Sequence, residues 1–443
     1  MLKTFKKGGV HPAENKLSAD SAIITAELPK VATIPLGQHI GAPASAIVKK
    51  GDAVKVGQVI AQSSGFVSAN IHSSVSGTVA KIEDSLDSSG FKRPTIMINV
   101  EGDEWLDDID RSTDIVKEIK LTAEEIINKV KEAGIVGLGG ATFPSHIKLS
   151  PPPGKTAEVL IINGVECEPY LTADHRLMLE KGEEMVIGTQ ILMKAIGVTK
   201  GYIGIENNKP DAIKHLTNIC KSYQGIEVTP LKVKYPQGGE KQLIKAVINR
   251  EVPSGALPIE VGAVVHNVAT AYAVYEAIQK NKPLFERVVT VTGKSVSNPS
   301  NLLVRIGTPT SQLVELAGGL PVDTGKIVSG GPMMGKALGS LDIPIAKGSS
   351  GVLLFNDKEA SRRPIEPCIR CGKCVSVCPM GLEPYLLMTY SEKAMWDENE
   401  KERTMDCIEC GSCMYNCPAD RPLLDYIRLG KATVGKIMRS RNQ

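Results

Sequence analysis

Eight of the ten cysteines fall within residues 368–417, in two copies of one pattern. The first reads Cys368-x-x-Cys371-x-x-Cys374-x-x-x-Cys378-Pro379, the second Cys407-x-x-Cys410-x-x-Cys413-x-x-x-Cys417-Pro418. Three thiolates at this spacing hold three corners of a [4Fe–4S] cube, and the fourth lies beyond reach of its own cube and ligates the other. One cube is thereby assigned to Cys368, Cys371, Cys374 and Cys417, and the other to Cys407, Cys410, Cys413 and Cys378. Gly372 and Gly411 relieve crowding where the backbone turns around a cube, and Pro379 and Pro418 stop the chain from entering a helix at once. Structural zinc is the plainer alternative, but two complete runs in tandem, with no His between 368 and 417, fit it poorly.

A chain of 443 residues is too long for one core. A net charge of +3 and an aromatic content of 4% offer neither the basic field nor the stacking surface of a nucleic-acid binder. No run approaches the ~18 apolar residues of a membrane span, and residues 1–8 lack the apolar centre of a signal peptide. Thiolates that must stay reduced place the expected compartment in the cytoplasm.

Residues 1–105 read as short strands punctuated by Gly, Ser and Pro. The pieces 51–58 and 74–79 resemble the halves of a biotinyl/lipoyl-type sandwich. The stretch 65–71 between them has no Lys to modify, which predicts a docking scaffold rather than a swinging arm. Thr122 and Glu125 then form a capping box ahead of a helix. The loop that follows, Gly137-Leu138-Gly139-Gly140-Ala141-Thr142-Phe143-Pro144, lacks the dinucleotide fingerprint. Its adjacent glycines nevertheless let backbone N–H groups approach a phosphate or a planar ring, with Lys148 supplying positive charge. From 157 to 290, strands alternate with helices, which predicts a mainly parallel sheet covered on both faces. Ligands of such sheets sit beyond the strand carboxyl ends, where Asn163–Pro169 and Tyr235–Glu240 fall. The segment Gly330–Ala337 has a phosphate-loop outline, but Ala337 stands where Ser or Thr would hold Mg²⁺, and we read it as a turn. Cys167 and Cys220 are isolated, so buried structural thiols are expected. The basic stretch Leu423–Arg441 is read as a solvated helix, with a partner subunit or anionic lipid as the sharper possibility.

The loop 137–144, Asn163 with Glu166-x-Glu168-Pro169, and Gly239-Glu240 together resemble the flavin-bearing, NADH-oxidising subunit of respiratory complex I. With the N-terminal sandwich and the paired cysteine runs, nearly the whole chain resembles the RnfC family of Rnf complexes, membrane ferredoxin:NAD oxidoreductases coupled to ion translocation. The resemblance implies a multidomain α/β and α+β chain of four parts. These are a barrel-sandwich hybrid (1–110), a Rossmann-like FMN/NADH domain (111–285), a soluble-ligand-binding β-grasp module (286–356) and an α-helical two-[4Fe–4S] ferredoxin domain with a basic tail (357–443). It implies that Gly137, Gly139, Gly140, Ala141 and Lys148 bind FMN, with Asn163 and Asn267 beside it. Glu166 and Glu168 would stand near the nicotinamide nucleotide, bordered by Gly239 and Glu240. Leu138, Val165 and Lys241 depart from the complex I pattern, which has Arg, Asp and Glu there. The implied cofactors are FMN and two [4Fe–4S] clusters, with NAD(H) as substrate. The implied partners are the other subunits of a membrane complex on its cytoplasmic side, and ferredoxin indirectly. A corrinoid reductase of bacterial microcompartments shares these modules, but with the sandwich after the clusters.

Overall fold

A computed structural model describes residues 2–441. The first twenty or so belong to no layer of any domain. They run as an arm that buries Phe5, Val10 and Ser18 against the other domains and ends in β1 (Ile23–Thr25), which pairs in parallel with Asn301–Leu303 far along the chain. The predicted sandwich comes next: β2 (Val31–Pro35), β3 (Ser45–Ala46), β4 (Ala53–Val54), β5 (Val59–Gln62), β6 (Ile71–His72), β7 (Gly77–Leu86) and β8 (Lys92–Val100). They form two antiparallel sheets, β2-β8-β7-β4 and β3-β5-β6. Alternation along the strands turns Ile34, Ile60, Ile71, Val79, Ile96 and Ile98 inward to a shared core. The loop where a carrier Lys would stand exposes Phe66. Its base is fastened to the next domain: Asn70 Nδ2 donates to the Glu132 carbonyl (3.2 Å), and Lys347 Nζ donates to the carbonyls of Asn70 (2.8 Å) and Gly134 (2.7 Å).

The α/β domain opens with α1 (Ala123–Glu132) on the predicted capping box. Glu125 N donates to Thr122 Oγ1 at 3.3 Å, and Thr122 N to Glu125 Oε2 at 2.7 Å. There follow α2 (Ser145–Lys148), β9 (Val159–Asn163), α3 (Ala173–Glu180), α4 (Gly182–Ile196), β10 (Gly201–Glu206), α5 (Pro210–Cys220), β11 (Ile226–Leu231), α6 (Glu240–Ile248), β12 (Ala263–Asn267) and α7 (Val268–Gln279). The sheet has the order β11-β10-β9-β12, with every pair parallel. Helices α1, α4, α5 and α7 bury one face and α6 the other, so both faces are dry, as all-parallel strands require. Helices α4 and α7 approach so closely that a Cβ on Gly188 would lie 1.9 Å from the Ala271 carbonyl oxygen.

The third unit comprises β13 (Glu286–Thr292), β14 (Ser300–Arg305), α8 (Thr310–Leu316), β15 (Thr324–Ser329), β16 (Lys336–Ala337) and β17 (Gly351–Asn356). Its mixed sheet, β1-β14-β13-β17-β15-β16, takes its edge strand from the N-terminal arm. Gly330–Gly335 is the turn between β15 and β16. A short helix α9 (Asp357–Ala360) packs back on β15 and β17, and Lys326 Nζ donates to its Ala360 carbonyl (3.2 Å). The last unit contains α10 (Lys373–Ser376), α11 (Pro384–Glu392), α12 (Trp396–Lys401), α13 (Ser412–Tyr415) and α14 (Leu423–Arg441). Each cysteine run closes on a one-turn helix entered through a left-handed glycine, Gly372 (φ 72°) or Gly411 (φ 75°). Helix α14 is not simply solvated. It buries Leu423, Leu424, Ile427 and Val434, and its Arg428, Lys431 and Arg441 pair with Glu409 and Glu400 of the same unit. Among the described residues, no helix is long and apolar enough to cross a membrane.

Candidate nucleotide and cluster sites

The parallel register sets Asn163 directly beside Asn267 at the carboxyl ends of β9 and β12. Asn267 caps α7 by accepting from Ala269 N (2.8 Å), and its Nδ2 donates to Asp174 Oδ2 (2.6 Å). Asn163 Nδ2 donates to the Gly238 carbonyl (2.8 Å), which ties this strand end to the Gly238-Gly239-Glu240 turn at the head of α6. The glycine loop lies over the same end. Leu138 N donates to Thr270 Oγ1 (2.9 Å), Gly137 N donates to the Phe143 carbonyl (2.9 Å), and Gly139 rests against Asn267. Gly139, Gly140 and Ala141 are exposed, and a Cβ on Gly140 would meet nothing within 4 Å. The backbone is therefore bare on its outer side, where a ring or phosphate can approach. Lys148 Nζ donates to Glu240 Oε1 (2.6 Å) and to the Val265 carbonyl (3.1 Å).

The carboxylates of the two expected acidic residues are engaged with the protein's own backbone. Glu166, in a left-handed conformation (φ 45°), accepts from Asp174 N (2.8 Å) and His175 N (3.2 Å), which caps α3. Glu168 points away, toward the 330–335 turn. Its Oε1 accepts from Met333 N (3.1 Å) and Met334 N (2.7 Å), and its Oε2 is buried beside the Tyr235 phenol, which itself donates to the Cys410 carbonyl. Burial pushes the Glu168 carboxyl up to about 7.

This gives a pH signature. An unfolded Glu168 ionises near its ordinary value, whereas the folded carboxyl resists until about 7. The folded state therefore pays a penalty that is absent in acid, grows as pH rises between those values and stays constant above them. The shift is worth about 3 kcal/mol at most. Glu168→Gln removes it, so the thermal midpoint of the variant relative to wild type is expected to rise from pH 5 to pH 8. A difference in midpoint that does not vary with pH contradicts this.

Sequence reasoning missed a further buried set. Asp174 is raised by burial and then by the Glu166 charge, and the fully buried Arg287 guanidinium offsets it. Lys209 Nζ donates to the Val165 carbonyl (2.8 Å). Lys16, from the arm, donates to the carbonyls of Glu166 (2.8 Å), Glu168 (3.0 Å) and Leu171 (2.6 Å). Asp174 sits on α3, whose weak periodicity hid it, and Lys16 sits in a segment with no element pattern at all.

Among the cysteines, Cys378 lines one pocket with Cys407, Cys410 and Cys413, walled by Leu387, Ile408 and Ile427. Burial and then neighbouring thiols push Cys407 up to about 12, and burial also raises Cys410 and Cys413. Three thiols that resist ionisation alone, gathered with Cys378 in one pocket, suit a polycation that compensates their charge. Cys374 lies near Cys417, while Cys368 and Cys371 are exposed. Among the described residues, no three His, Cys, Asp or Glu side chains are gathered closely enough to hold a single metal ion. The inner pocket abuts the nucleotide domain: Tyr235 Oη donates to the Cys410 carbonyl (2.8 Å) and Gln242 Nε2 to Met380 Sδ (3.2 Å). The isolated Cys167 lies in the same apolar contact, next to Gly238 N (3.4 Å), and burial raises its thiol far above its usual range.

Four family models match in chain order. They are an RnfC barrel sandwich hybrid domain (3–103), a Nuo51 FMN-binding domain (130–276), an SLBB domain (288–337) and a 4Fe–4S dicluster domain (362–418). The chain is 48% identical to the C subunit of the proton-translocating ferredoxin:NAD(+) oxidoreductase complex of Clostridium ljungdahlii, over 98% of this chain and 94% of that one. The chain belongs to the RnfC family. A second RnfC relative, from the Na(+)-translocating ferredoxin:NAD(+) oxidoreductase complex of Acetobacterium woodii, is 46% identical over 97% of each chain. An NAD+-reducing [NiFe]-hydrogenase in the air-oxidised state shares the fold, with a TM-score of 0.50 and 19% identity over 71% of this chain and 66% of that one. RnfC membership, with the sandwich ahead of the clusters, sets aside the corrinoid reductase alternative.

Proposed function

We propose that this chain is the NADH-reactive, peripheral subunit of a membrane ferredoxin:NAD oxidoreductase that couples electron transfer to ion translocation, docked on its cytoplasmic side. Its whole-length likeness to the RnfC members of two such complexes supports this. The observation that carries it is the contact of Tyr235, at the strand-end crevice, with the Cys410 carbonyl of the inner thiol pocket. One chain thus sets a nucleotide crevice against a cluster pocket. Bound FMN supplies the exchange between the paired electrons of nicotinamide and the single electrons of [4Fe–4S] cubes.

The residues present fit these groups. The bare face of Gly139–Ala141 with Lys148 would hold FMN, Asn163 and Asn267 would border it, and Gly239 with Glu240 would edge the nicotinamide side. Glu166 and Glu168 hold the loop between β9 and α3 in place. Hydride transfer itself needs no protein acid or base. Cys378, Cys407, Cys410 and Cys413 would hold the inner cube, and Cys368, Cys371, Cys374 and Cys417 the outer one; the exposure of Cys368 and Cys371 would leave that one accessible to a partner. The Rossmann-like and β-grasp descriptions of the middle domains agree with the four parallel strands and with the mixed sheet of β1 and β13–β17.

Anaerobically purified protein is expected to carry FMN and about eight irons per chain, and NADH should bleach both chromophores. Iron without flavin would reduce the chain to a cluster relay.

A further inference from the structure

The N-terminal arm is unused by the reading above, although it touches both cofactor regions. It starts on the outer strand of the parallel sheet: Lys232 N donates to the Lys3 carbonyl (3.0 Å), and Lys3 Nζ donates to the Val247 carbonyl (3.0 Å). Thr4 Oγ1 then donates to Gln237 Oε1 (2.8 Å) beside the glycine turn of α6. At Gly8 and Gly9 it passes between domains. Gly9 N donates to the Val377 carbonyl (2.8 Å), and Val10 exchanges backbone hydrogen bonds with Tyr235 (2.8 and 2.9 Å). Both glycines are left-handed (φ 66° and 92°). A Cβ on Gly8 would fall 2.5 Å from the Cys378 carbonyl carbon, and one on Gly9 2.9 Å from the Tyr235 carbonyl oxygen. Only a chain without side chains passes here. Beyond it, Lys16 gathers three carbonyls of the loop between β9 and α3.

We propose that residues 3–16 are a positioning strap that seats the Val377–Cys378 segment against Tyr235 and so fixes the spacing between the nucleotide crevice and the inner thiol pocket. The proposal rests on the function proposed above. Its logic is geometric. The ferredoxin-like unit has a small core of its own, and Leu382, Leu387, Met388, Leu423 and Ile427 say nothing about how it faces the α/β domain. The α/β domain also reaches this unit through Tyr235 and Gln242, and through Ser254 Oγ and Gly255 N, which donate to Asp406, but none of these hydrogen bonds reaches the Val377–Cys378 backbone. The arm is hydrogen-bonded to both partners within two consecutive residues, Gly9 to the cluster segment and Val10 to the sheet domain, and it makes the two move as one.

The test is Gly8→Ala in the full, cofactor-loaded chain. Gly51→Ala is the control, because that glycine is equally left-handed (φ 92°) but meets nothing within 4 Å. Three quantities are read: FMN and iron content, the separate rates at which NADH bleaches the flavin and the clusters, and hydrogen exchange at the amides of Gly9, Val10 and Tyr235. The expected result is wild-type content and flavin bleaching, faster exchange at the three amides, and cluster bleaching slowed by about tenfold or more, since ångström-scale misplacement is that costly in positioned reactions. Gly51→Ala should change none of these. Wild-type cluster bleaching in Gly8→Ala, with loosened amides, overturns the proposal, as does unchanged exchange. Should Gly8→Ala lose iron, Lys3→Met combined with Thr4→Val frees the start of the strap without crowding Cys378. The same split of rates is expected there, and its absence refutes the strap. Failure of flavin bleaching in the wild-type chain itself would instead strike the proposed function.

Discussion

Gly139→Val is expected to give a folded chain that keeps its iron and loses its FMN. A Cβ at this position would lie 2.6–2.9 Å from the Nδ2, Cγ and Cβ of Asn267. That side chain cannot yield freely, because it caps α7 and holds Asp174. Overpacking of this kind costs about 1–3 kcal/mol, and loss of a hydrogen bond to a charged group adds about 1.5–3 kcal/mol. The first weakens folding; the second predicts FMN binding weakened about tenfold to a hundredfold, measured by titrating flavin-free protein with FMN. Gly140→Val serves as the counterpart. Its side chain would stand in open space, so nothing in the protein is displaced. If FMN occupies that space, Gly140→Val also loses flavin while its thermal midpoint stays near wild type. Full FMN retention in both variants removes the loop from the site.

The sequence and the structure agree where physics is local. The capping box at Thr122 and Glu125, the alternating elements from Val159 to Gln279 and the cysteine spacing each depend on a few neighbouring residues, and a pattern of a few residues suffices to see them. What stayed hidden depends on contacts between distant segments. The arm carries no periodicity because its partners are Leu231, Tyr235, Val377 and the loop after β9, all more than a hundred residues away. For the same reason β1 could not be assigned to the third unit, whose sheet it completes. The resemblance singled out Glu166 and Glu168 but gave no indication of their directions. One turns to the N-terminus of α3 and the other to the 330–335 turn, because two residues on, with a left-handed residue between sheet and helix, is enough to aim a side chain elsewhere. The glycine turn at 330–335 read as punctuation, and its backbone N–H groups prove to be the partners of a buried carboxyl.

The crossed ligation of the two cubes has the sharpest test, because the two pockets differ in exposure. Cys378 shares a buried pocket with the second run, whereas Cys368 and Cys371 lie at the surface with Cys374 and Cys417 close behind. Cys417→Ala should therefore remove or weaken the outer cube, the one held by the run to which Cys417 does not belong. Cys378→Ala should do the same to the inner one. In each variant iron is expected to fall from about eight toward about four per chain, so total iron alone does not distinguish them. Access does. Wild-type protein should release iron to an anaerobic chelator in a fast phase from the exposed cube and a slow phase from the buried one. Cys417→Ala should retain only the slow phase and Cys378→Ala only the fast one. Two self-contained runs predict the reverse assignment, since Cys378 would then complete the exposed cube and Cys417 the buried one. The inner site also contributes to folding: its thiols line the small core of Leu387, Leu423 and Ile427, and metal affinity there counts as folding free energy. Cys378→Ala should accordingly lower the thermal midpoint of the last domain more than Cys417→Ala does.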